Sequence, residues 1–161
     1  MMVADTGPLI AFARIRHFNL LQRVIGELII PEAVYDELVG KGRQRPGAAE
    51  VERAEWVQRR TITNQASISN LPSTLHAGER HAILLAQELG LGLLIDERRG
   101  RTVAAERGVE IFGGLWILAE AKRQGMITQT KPLITAMPAA EYRVDEELPL
   151  PFFQELGEGT T

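Results

Sequence analysis

Short apolar runs alternate with amphipathic stretches along this chain. Residues 2–4, 28–30 and 93–95 are uninterrupted apolar runs, and 109–112 is a fourth, broken only by Glu110. Runs this short read as buried strands. A weaker strand pattern covers 57–63. Between the runs, apolar residues recur three and four positions apart, which predicts helices. The first covers 8–15, with Pro8 near its first turn, and helical spacing continues through Phe18, Leu21 and Ile25. Others are expected over 31–39, 46–56, 77–89, from Asp96 to about Arg107, over 115–124, and over 132–137. Gly40, Gly90, Gly108 and Gly125 supply stops. Residues 63–74 are polar and read as a long surface loop.

Strands that alternate with helices predict a single-domain α/β fold. Its core would be a doubly wound, mainly parallel sheet covered by helices on both faces. The domain is expected over 1–150. Residues 151–161 are expected to form a tail, with Phe152 and Phe153 packing on the domain or, alternatively, offering a surface to a partner. In such sheets, sites form at the carboxyl ends of strands. Two of the apolar runs end in a bare carboxylate, Asp5 and Asp96.

Composition narrows the chemistry available there. The 161 residues include no cysteine and three histidines, His17, His76 and His81. Disulfide, thiolate-metal and catalytic-thiol chemistry are thereby excluded. The net charge of −3 argues against a domain-wide basic surface. No apolar run approaches the roughly 18 residues of a membrane span. The start lacks the basic residues of a signal peptide, so a cytoplasmic protein without a membrane partner is expected.

Four carboxylates carry the candidate chemistry, and each has an ordinary alternative. Asp5 and Asp96 are placed to cap the helices that follow, with Glu97 then a favourable first-turn acid. Glu79 shares a helix face with Ala82, Ile83 and Ala86. A carboxylate on an apolar stripe is costly unless paired or metal-bound, although it also suits the first turn of a helix. Glu37 lies at the edge of the Val34/Leu38 stripe, or pairs with Lys41 four residues on. Together the four are more informative than singly. Like charges about 4 Å apart repel by on the order of 4 kcal/mol at an effective dielectric of about 20. A hard divalent cation relieves this, and Mg2+ or Mn2+ suits an all-oxygen site.

Other motifs are absent. His76-Ala-Gly-Glu79-Arg-His81 matches neither zinc-protease spacing, and there is no P-loop and no G-x-S-x-G elbow. A phosphatase with Asp5 as nucleophile would want an acid where Gly7 stands.

The segments 3–10, 30–38, 77–83 and 94–99, joined by 111–115 and 119–133, resemble the PIN-domain family. They are most similar to its small prokaryotic branch related to toxin–antitoxin nucleases. The resemblance spans roughly residues 2–150. It implies a Mg2+- or Mn2+-dependent ribonuclease with a small antitoxin as partner, leaving 5′-phosphate and 3′-hydroxyl ends. It puts Asp5, Glu37, Glu79 and Asp96 on the catalytic acidic positions, with Asp5, Glu79, Asp96 and Glu97 as metal ligands. Gly7 stands where many relatives carry a hydroxyl, so Thr6 is expected to take that supporting role. Thr6, Arg80, Arg98, Arg99 and Arg101 are the expected RNA contacts, with Lys41, Arg43 and Arg45 as a second rim. A second copy of the chain is a further candidate partner. The alternative function is a non-catalytic PIN-like module that docks RNA or a protein partner.

Overall fold

A computed structural model describes residues 1–40, 45–137 and 157. Five strands form one sheet: β1 (Met2–Ala4), β2 (Leu28–Pro31), β3 (Val57–Arg60), β4 (Gly92–Leu94) and β5 (Ile111–Phe112). Their order is β3-β2-β1-β4-β5, and every pairing is parallel. The expected mainly parallel sheet is therefore wholly parallel among the described residues.

Both faces of this sheet are buried, which is why its strands read as continuous apolar runs. Alternate residues divide between two cores. Ala4, Leu28, Ile30 and Leu94 pack with Leu9, Phe12, Leu21, Ile117 and Leu118. These come from α1 (Thr6–Arg14), α2 (Asn19–Ile25) and α7 (Gly114–Arg123). On the other face Val3, Ile29, Leu93 and Ile95 pack with Ile83 and Ala104. Those belong to α5 (Ala77–Leu89) and α6 (Arg98–Glu106), while α4 (Ala48–Arg53) and α8 (Lys131–Ala136) complete the helices outside the site.

Three local departures have physical causes. The helix expected over 31–39 is only a short α3 (Glu32–Tyr35), which widens into a π-helical turn at Asp36–Gly40. The helix expected over 46–56 is trimmed to α4, since Gly47 takes a positive φ of 95° at its start. The polar stretch 63–74 is not a plain loop but contains a 3-10 helix, Gln65–Asn70. It is pinned by buried Ile62, Leu71 and Leu75. The Glu88 carboxylate also accepts the backbone N–H groups of Thr63 and Asn64.

Helix α1 ends in a Schellman turn, with His17 N–H donating to Phe12 O and Arg16 N–H to Ala13 O. The left-handed position, usually glycine, is Arg16 at φ 59°. Lys41, Arg43, the Phe152/Phe153 pair and the rest of the expected 151–161 tail except Gly157 lie outside the described residues. Among the described residues, no helix is long and apolar enough to cross a membrane.

Candidate active site

The chain winds outward from β1 through β2 to β3, then returns to place β4 on β1's other side. The crevice at such a reversal, beyond the carboxyl ends of the strands, is where open α/β sheets bind ligands. Asp5 follows β1 and Asp96 lies just past β4 at this reversal, in a register set by Ala4 opposite Leu94. The Asp5 backbone N–H closes the edge by donating to Leu94 O at 3.0 Å.

Asp5 is buried, with 5% of its surface exposed. It stands at the N-cap of α1, yet its side chain makes no capping bond. Burial pushes its carboxyl up to about 7 from 3.8, opposed by the backbone N–H of Thr6. The charges acting on it are negative: Glu79, Glu37 and Asp96. The structure thus brings Glu37, Glu79 and Asp96 within electrostatic reach of Asp5.

Glu79 is also buried, at 7%. Its Oε2 accepts the His76 backbone N–H at 3.2 Å, so it caps α5 and faces the acid cluster at once. Burial raises its pKa, and so do Glu97 and Glu37, against the effect of the His76 bond. Glu37 is half-buried on the π-helical turn, where its Oε2 accepts the Thr6 hydroxyl at 3.2 Å. Thr6 is itself buried and spends that hydroxyl on Glu37.

The two acids after β4 divide their work differently from the sequence expectation. Capping α6 falls to Glu97, whose Oε2 accepts the Gly100 N–H at 2.6 Å, and not to Asp96. Asp96 reaches instead to the start of α7, where its Oδ1 accepts the Gly114 N–H at 2.8 Å. Beside it, Arg101 turns inward and donates from Nη1 to Ile95 O at 2.7 Å. Arg98 and Arg99 are exposed, whereas Arg80 is half-buried and its Nε is enclosed, with no hydrogen-bond partner among the described residues.

Glycines that the sequence analysis passed over complete the site. A Cβ on Gly113 would stand 2.8 Å from Arg101 Nη1 and 2.9 Å from Asp96 Oδ1. One on Gly78 would stand 2.6 Å from Glu37 Oε2. Both residues adjoin a helix start, Gly78 directly before Glu79 and Gly113 as half of a glycine pair. That position was the available signal.

In kind, these donors fit a hard divalent cation: all oxygen, mutually repelling, and partly starved of solvent. Among the described residues, no three acidic or histidine side chains are gathered closely enough to hold an ion as they stand. An open cleft of about 820 Å³ lies elsewhere, lined in part by Arg16, Phe18, Arg53 and Trp56. It contains none of the four acids, so chemistry and cavity size point to different places. We assign the site by the carboxylates, because desolvated like charges demand an explanation that an open groove does not.

A family model described as a PIN domain matches residues 1–158 of the chain. No curated protein and no solved structure matches it.

Proposed function

The chain belongs to the PIN-domain family, whose members are generally nucleases, and on that premise we propose that it is a metal-dependent endoribonuclease. The observation that carries this reading is Asp5: a buried carboxyl at the sheet's reversal whose charged neighbours are three more carboxylates. A divalent cation, Mg2+ or Mn2+, would be held by Asp5, Glu79 and Asp96, with Glu97 at the margin. Bound there, such an ion supplies an activated water and charge to stabilise displacement at phosphorus.

The protein's own groups would do the rest. Glu37, steadied by the Thr6 hydroxyl, would add a fourth carboxylate to the cluster. Exposed Arg98 and Arg99 would hold backbone phosphates of the RNA, fixing its register without reading its bases. Half-buried Arg80, next to Glu79 on α5, would be a further phosphate contact. Because the total charge is −3, RNA binding would be local and salt-sensitive. The resemblance to the toxin branch supports a small antitoxin protein as partner and regulator. A second copy of the chain is a further candidate partner.

Cleavage of RNA by wild type and Asp5→Asn, with added Mn2+ or Mg2+, tests the reading. Wild type is expected to cleave, and the variant to be slower by about 100-fold or more. Equal rates in the two would overturn it.

One observation favours the second reading, a binding module without catalysis: among the described residues the acids are not gathered as a ready-made site. Calorimetric titration with Mn2+ separates the two. Binding that is lost in Glu79→Gln favours the nuclease.

A further inference from the structure

Gly78 is the second residue of α5, and its backbone is ordinary right-handed helix. Any L-residue adopts that conformation, and glycine is the poorest helix former after proline. Conformational freedom therefore does not explain a glycine here. The space does. A Cβ at this position would meet Glu37 Oε2 at 2.6 Å, a distance real contacts essentially never show. Its other neighbours, Val34 Cγ2 at 3.4 Å and Thr6 Oγ1 at 3.5 Å, leave nearly ordinary room. The single group that a methyl would expel is thus the Glu37 carboxylate.

Two further features converge on the same oxygen. The π-helical turn Asp36–Gly40 carries Glu37, and such turns re-aim side chains at functional sites. The Thr6 hydroxyl holds that oxygen at 3.2 Å from the α1 side. We infer that Gly78 is a positioning residue, whose missing side chain lets Glu37 enter the acid cluster between Thr6 and the start of α5. The inference rests on the nuclease reading for its purpose and on the geometry alone for its existence.

The two are separable by experiment. Gly78→Ala, Glu37→Gln and the double variant are compared for melting temperature without metal, for Mn2+ affinity by calorimetry, and for RNA cleavage. Expelling the tip of a flexible side chain is cheap, and alanine favours the helix. Gly78→Ala should therefore melt at or above wild type. Its Mn2+ affinity and cleavage rate should fall about 10- to 100-fold, because the Glu37 carboxylate, though not one of the proposed ligands, would be moved away from the cation it helps to neutralise. The double variant should be no worse than Glu37→Gln alone, because Gly78 acts through Glu37.

A lowered melting temperature, unchanged Mn2+ affinity, or losses that add in full would each overturn the inference. So would a metal-free crystal structure of Gly78→Ala with Glu37 still bonded to Thr6. A wild type that cleaves no RNA would sink the nuclease reading only, since the crystal structure still judges Gly78.

Discussion

Asp5 and Asp96 look interchangeable in the sequence: each ends an apolar run and precedes a helix. Folded, they are opposites. Asp5 is buried among like charges, makes no capping bond, and has its carboxyl pushed up to about 7. Asp96 is half-buried, accepts the Gly114 N–H at the start of α7, and lies against the Gly113 backbone beside the inward-turned Arg101. Helix starts carry a partial positive charge that favours anions. Asp96 thus has protein groups that answer its charge, while Asp5 has only the Thr6 backbone N–H set against burial and three like charges. In the proposed metal site, the Asp96 side would be fixed before a cation arrived, and the Asp5 side would be completed by it.

The largest effect expected to sharpen this contrast is the pH dependence of stability without metal. An unfolded aspartate titrates near 3.9, and Asp5 in the fold near 7. Between those values the folded state keeps a proton that the unfolded chain has lost, so stability falls as pH rises through that window. The gap corresponds to on the order of 4 kcal/mol, present in full below about pH 4 and gone above about pH 7. Burial of Glu79 acts in the same direction. Urea denaturation in the presence of a chelator should show this slope, and Asp5→Asn should flatten it.

Asp96→Ala should behave otherwise. It strands the buried Gly114 N–H and should cost about 1–2 kcal/mol, with the pH slope retained. If Asp96→Ala flattened the slope and Asp5→Asn did not, the two roles would have to be exchanged. The smallest effect concerns the exposed arginines. Arg98→Ala and Arg99→Ala should each weaken RNA binding modestly and lower the salt slope by about 1, with Arg99→Ala leaving the melting temperature unchanged. Arg101→Ala, by contrast, should destabilise the protein, since its Nη1 is engaged by Ile95 O.

Much of the fold was legible because periodicity is a local property. Helix α5 lies over 77–89 as its apolar spacing predicts, and each of the four clearest apolar runs contains a strand, the last only at Ile111–Phe112. The parallel sheet followed from strand–helix alternation. What misled was local pattern under tertiary control. The π-helical turn interrupts a stretch that reads as plain helix, and the 3-10 helix sits in a polar stretch held by three spaced apolar anchors. Asp96 and Glu97 could not be apportioned by sequence, because either can cap α6 and only α7's position draws Asp96 away.

The sequence by itself determined the alternation of elements, the exclusion of sulfur chemistry and the identity of the four acids, since these depend on residue type and spacing alone. The tertiary structure decided that Asp96 is answered by the backbone of α7, Glu37 by the Thr6 hydroxyl, and Asp5 only in part, by the Thr6 backbone N–H against a larger cost of burial. It also decided that Gly78 and Gly113 matter for the atoms they lack. Those properties are distances between segments far apart in the chain, and burial, which sets the cost of an uncompensated charge, exists only once those segments have met.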